Sequence, residues 1–123
     1  MNYLHRPLIL KRLKLSLRQS YRIVPPSYGP LINSDEILEI VNNARRGIRE
    51  PLTGIPSDMM TAEEIANDPA IGGIVSPKRI LTWTRRKKNV PPHFRFNKQT
   101  TRFSRSGFLR WLSDQSRIRR EQG

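Results

Sequence analysis

The stretch Ser76–Leu112, SPKRILTWTRRKKNVPPHFRFNKQTTRFSRSGFLRWL, decides how the rest of the chain is read. Eleven Lys or Arg residues and no Asp or Glu lie between Val75 and Arg110, within a formal net charge of +13 for the 123 residues. Ser76-Pro77 is an N-cap followed by proline at the first helical position, where a missing donor does no harm. In the helix so begun, Ile80, Trp83 and Thr84 share one face, which leaves Lys78, Arg79, Thr82 and Arg86 elsewhere. The alternation His93-Phe94-Arg95-Phe96, a polar turn at Asn97–Thr100 and renewed alternation at Thr101-Arg102-Phe103 predict a β-hairpin with a basic tip. Phe94, Phe96 and Phe103 are expected on its one buried face, Arg95 and Arg102 on its wet face. Ser104 can cap a closing helix with Phe108, Trp111 and Leu112 inward and a basic, frayed tail of Arg117, Arg119 and Arg120. The partner of such a segment should be a polyanion.

Upstream the balance reverses: residues 32–74 hold three basic and eight acidic side chains, a net of −5. Thr61-x-x-Glu64 has capping-box spacing and predicts a short helix from Thr61 to about Asn67, ended by Pro69 and Gly72-Gly73. Asn33-x-x-Glu36 predicts another, with Ile37, Leu38, Ile40, Val41 and Ala44 as its apolar stripe, Arg45 and Arg46 at its negative end and Gly47 as its C′ residue. Asp35, Glu36 and Glu39 are accounted for by the helix start, and His93 by a proline turn, so neither suggests acid–base chemistry. Residues 47–59 sustain no period and read as a linker. His5–Val24 is ambiguous, since Leu13, Leu15 and Leu17 alternate like a strand while Ile9, Leu10 and Leu13 recur like a helix. Pro25-Pro26 stops it, and Ser27–Pro30 reads as a turn.

The chain is long enough for one ordinary domain or two very small ones. Cysteine is absent, which excludes disulfides and thiolate metal clusters and fits a reducing compartment such as a bacterial cytoplasm. His5 and His93 are the only imidazoles, so a histidine metal site or triad has almost no material; no enzyme activity and no cofactor are expected. Lys11, Arg12 and Lys14 interrupt the apolar run Leu8–Leu17, which argues against a signal peptide, and no segment has the length of a membrane span. An organellar presequence is the alternative for residues 1–31, with six basic residues and no acidic one.

A helix, a glycine-containing turn, a second helix begun by Ser-Pro, and a basic hairpin describe a helix-turn-helix with a wing. The residues Thr61–Ala66, Val75–Trp83, Pro92–Phe96, Phe103-Ser104 and Phe108–Leu112 resemble the MerR-like winged helices of the excisionase and AlpA-type regulator group. The resemblance covers roughly the second half of the chain and implies a mainly α fold with small β-hairpin wings. It also implies a sequence-specific double-stranded DNA-binding protein of a phage or mobile element, an excisionase or transcriptional regulator. Its further partners would be an integrase or more copies of itself. Base contacts are expected from Lys78, Arg79, Thr82 and Arg86 in the major groove. Ser76, Arg85, Lys87, Lys88, Arg95, Lys98 and Arg102 are expected on the DNA backbone. Two departures from the family pattern are the long turn Asn67–Gly73 and the run Arg85–Lys88 after the second helix.

With that template, residues 5–46 repeat the same order in compressed form. Ile9-Leu10 matches Ile65-Ala66, Leu15-Ser16 matches Val75-Ser76, and Ile32-Asn33 matches Phe103-Ser104. Two tandem winged domains follow as the expected architecture: a compact helix-turn-helix-like half at 1–46, a linker at 47–59, and a winged half with a basic tail at 60–123. Ser16, Arg18, Gln19 and Arg22 form the second candidate reading head. The expected location is cytoplasmic and nucleoid-associated. The alternatives are an RNA-binding structural protein, ribosome-associated or organellar, and an adaptor that dimerises through the stripe of Ile37, Ile40, Val41 and Ala44.

Overall fold

The computed structural model describes residues 3–25, 29 and 31–122, the side chains of 116–122 excepted. Among these residues the strands are β1 (Tyr3–His5), β2 (Leu31–Asn33), β3 (Arg45–Arg46), β4 (Met59–Met60), β5 (His93–Asn97) and β6 (Thr100–Ser104). The helices are α1 (Arg6–Leu13), α2 (Leu17–Ile23), α3 (Ser34–Ala44), α4 (Ala62–Ala66), α5 (Pro77–Trp83) and α6 (Arg105–Gln122). β1 pairs with β2, and a second sheet has the order β3-β5-β6-β4, every pairing antiparallel. The chain is therefore a mixed α/β fold, which corrects the expectation of a mainly α protein made of two tandem winged helix-turn-helix domains. Four of the strands are only two or three residues long, too short for a period-two pattern to register in the sequence.

The order strand, helix, helix, strand, helix occurs twice. In each occurrence the opening strand pairs with the strand that runs into the third helix, Tyr3 opposite Asn33 and Met59 opposite Ser104. Matching positions are buried in both: Ile9 and Ile65, Ile32 and Phe103, Ile37 and Phe108. The second occurrence differs by inserting β5, which forms a hairpin with β6. That hairpin stands between two apolar clusters. Phe94 belongs to one with Ile9, Leu13, Ile32, Ile37 and Val41, whereas Phe103 belongs to the other with Ile65, Ile80 and Phe108. Both faces of the hairpin are covered, not the single face that its alternation suggested.

Local chemistry explains the helix ends. Ser16 and Thr61 each complete a reciprocal capping box, with Gln19 and Glu64. Asn33 caps α3 by accepting from the Asp35 amide at 2.8 Å, and Ile37, Val41 and Ala44 form the buried stripe. Ser104 lies 3.5 Å from the Gly107 amide, too far for a strong cap. Asp58 supplies the anion at the start of α6 instead, accepting from the Ser106 amide at 2.8 Å and the Ser104 hydroxyl at 2.9 Å. The turn expected at Ser27–Pro30 lies, except for Gly29, outside the described residues, as do the side chains of the expected basic tail.

Residues 47–59 are tied to the first cluster: Ile48, Leu52 and Ile55 pack on it, and the Asn42 amide bonds both the N–H and the carbonyl of Leu52, at 2.7 and 3.1 Å. α3 ends at Ala44, so Gly47 follows β3 and is not the residue next to a helix end. It has φ +70, and a Cβ there would meet the Val90 carbonyl oxygen at 3.0 Å and that of Pro91 at 3.1 Å. Gly47→Ala is expected to cost about 1–3 kcal/mol, read as a lower urea midpoint with an unchanged m-value.

His93 is buried beneath this contact, with Nδ1–H donating to the Pro91 carbonyl at 2.8 Å. Burial holds its imidazole below the ordinary value, and the nearby Arg46 and Arg95 charges act in the same direction. The unfolded chain therefore takes up this proton first, so stability present above the ordinary histidine pKa is lost as pH falls through it. Tm should decline between about pH 7 and pH 5, and His93→Gln should flatten that part of the profile. A second decline belongs below the ordinary aspartate range. There Arg105, bonded to the buried Asp68 carboxylate at 2.6 and 3.2 Å, holds that group ionised.

Candidate nucleic-acid interface

α4, the turn through Gly72-Gly73, α5 and the β5–β6 hairpin form the candidate surface. Asp68 organises the long turn by accepting from the Ala70 amide at 3.0 Å, while the Gly73 amide returns to the Ala66 carbonyl at 3.1 Å. α5 then starts at Ser76, whose hydroxyl accepts from the Arg79 amide at 3.2 Å. Ile80 is wholly buried, which fixes the rotation of the helix. A period of 3.6 residues then turns Lys78 and Thr82 directly outward, and both are exposed. The Thr82 hydroxyl donates to the Lys78 carbonyl at 2.9 Å.

The helical rotation separates residues that the sequence grouped as base readers. Arg79 and Arg86 fall to one flank of α5, lining a cleft with Ile74, Val75, Trp83, Trp111 and Leu112. The Arg86 guanidinium lies 5.6 Å above the Trp83 ring, and Trp83 packs on Trp111 with 5.6 Å between centroids. Both tryptophans thus serve packing, as expected. α5 ends at Trp83, so Arg85, Arg86, Lys87 and Lys88 form an exposed exit and do not extend the helix.

The opposite flank of α5 faces the hairpin across a groove lined by Glu63, Pro77, Leu81, Thr84, Arg85, Arg95, Lys98 and Arg102. Arg95 and Lys98 are exposed there. Arg102 is not. It stands opposite Phe94 in the hairpin, on the face covered by the first half, and is 7% exposed. Its guanidinium donates to the Leu13 carbonyl at 3.2 Å, to the Lys14 carbonyl at 3.0 and 2.7 Å and to the Thr101 carbonyl at 2.8 Å. Arg102 is therefore a cap on the C-terminal end of α1, where a cation meets the negative helix pole, and not a wing residue gripping phosphate.

The second candidate head sits on the other side of the hairpin tip. Ser16 is occupied as the α2 cap and Gln19 by the reciprocal bond to the Ser16 amide at 2.9 Å. Arg18 and Arg22 are exposed, and Arg22 donates to the Gln99 side chain at 3.1 Å. Arg18, Gln19 and Arg22 line one cleft with Gln99 and Thr100, and Arg22 lines a second with Arg46, Arg95 and Phe96. Gln99 and Arg46 were not legible as site residues in the sequence. Gln99 is an uncharged turn residue, and Arg46 is explained locally, since it donates to the Asn43 and Arg45 carbonyls at 2.8 Å each. No described helix is long and apolar enough to cross a membrane. Comparison with protein-family models, with curated proteins and with solved structures gives no match.

Proposed function

We propose that this chain is a sequence-specific double-stranded DNA-binding protein. The observation that carries the reading is the outward ridge of Lys78 and Thr82 on α5, continued by Arg85 and flanked by the exposed Arg95 and Lys98 of the hairpin. A short exposed helix beginning with basic and hydroxyl side chains suits the major groove, where donors and a methyl group distinguish base pairs. The adjacent hairpin and the Arg85–Lys88 exit supply the phosphate contacts that fix register and affinity. The narrower role of excisionase or transcriptional regulator of a phage or mobile element, with an integrase or further copies as partners on the nucleoid, rests on the motif resemblance of Thr61–Leu112. Binding of one labelled duplex and one structured RNA of equal length, compared over a salt series, tests the reading. Duplex should be preferred throughout; a consistent preference for RNA would favour a ribosome-associated or organellar role.

A further inference from the structure

The two halves present matching ridges. Aligning the caps Ser16 and Ser76 puts Arg18 at the position of Lys78, Arg22 at that of Thr82, and the buried Ser20 at that of Ile80. α2 therefore carries two outward cations where α5 carries one. Gln99 at the hairpin tip lies in the cleft beside α2 and also in the groove beside α5, so the two ridges flank one shared tip. Arg22, Arg46 and Arg95 converge on a further cleft. None of the three is in an ion pair among the described residues, where the pairs are Lys14–Glu64 and Arg105–Asp68. Guanidinium groups gathered without a carboxylate repel one another in the folded protein, and a polyanion relieves that repulsion.

We propose that α2, with Arg18 and Arg22, and Arg46 in β3 form a second phosphate-gripping arm, and that one continuous duplex crosses the hairpin tip from this arm to α5. This rests on the duplex-binding reading above. The arm would add affinity and length of contact rather than base selectivity, since phosphates carry no sequence. It also assigns the tip residues Lys98 and Gln99 to the middle of the bound DNA and not to its edge.

The test uses the full chain and a random-sequence duplex long enough for both ridges, with binding measured over a salt series. The triple variant Arg18→Ala/Arg22→Ala/Arg46→Ala should flatten the plot of log K against log salt by about 2–3, at roughly 0.9 per lost contact, and reduce the footprint, read as the base pairs occluded per bound protein. The corresponding triple Lys variant should keep most of the slope. Should the triple Ala variant fold poorly, Arg18→Ala alone, at an exposed position, should flatten the slope by about 1. An unchanged slope and footprint with duplex binding intact would overturn the second arm alone. Absence of duplex binding by the wild-type protein would overturn the arm together with the reading beneath it.

Discussion

Arg102→Ala is expected to lower the unfolding free energy by about 3 kcal/mol while leaving the salt dependence of duplex binding unchanged wherever the variant is folded. The wild-type guanidinium satisfies the carbonyls of Leu13 and Lys14 at the end of α1, where Lys14 adopts φ +55. Removing it strips charge-assisted donors from a helix terminus packed beneath the hairpin, and each such loss costs on the order of 1–3 kcal/mol. It also removes the polar clasp between the first half and β6, so both apolar clusters should loosen together in one transition. Chemical denaturation gives the first quantity and a salt series the second. A variant that keeps its stability but loses about one unit of salt slope would instead make Arg102 a phosphate contact.

Lys78→Ala/Arg85→Ala should have the largest effect on binding. Lys78 stands on the outward ridge of α5, so its loss should cost about 1–3 kcal/mol on a preferred site and little on random duplex. Arg85, at the exposed helix exit, should weaken every duplex alike and flatten the salt slope by about 1. Together they predict a loss of on the order of 100-fold on the preferred site, most of it selective. Arg79→Ala serves as the comparison, because its side chain lies along the Trp83–Trp111 cleft rather than on the ridge. Its effect on selectivity should be clearly smaller, and equal losses from Lys78 and Arg79 would mean that α5 meets the DNA on a different face.

The parts of the fold legible in the sequence are those written in local chemistry. Thr61 with Glu64, Ser76 before Pro77 and the stripe Ile37-Val41-Ala44 each specify a helix through neighbours a few residues away. What escaped detection depends on distant partners. Arg102 reads as a wet-face residue in its own strand, and only the approach of α1, 88 residues earlier in sequence, buries it. The hairpin alternates as if Phe94, Phe96 and Phe103 shared one buried face, because nothing within residues 93–104 reveals that the strand register sets Arg102 opposite Phe94 and turns Phe103 to the other face. Asp58 looks like a loop carboxylate until α6 arrives with the Ser106 amide. In the candidate site, the concentration of charge was plain, but its division between the ridge, the tryptophan cleft and the second arm required the rotation of α5 that Ile80 sets.

Whether the α5 ridge reads duplex sequence can be measured by selecting sites from a randomised duplex pool and comparing the selected site with random DNA at one salt concentration. A preference of about 1,000-fold or more is expected, falling by roughly 10- to 100-fold in Lys78→Ala and preserved in Lys98→Ala. A pool that yields no preferred site, or a preference that Lys78→Ala leaves intact, would contradict sequence reading by the ridge.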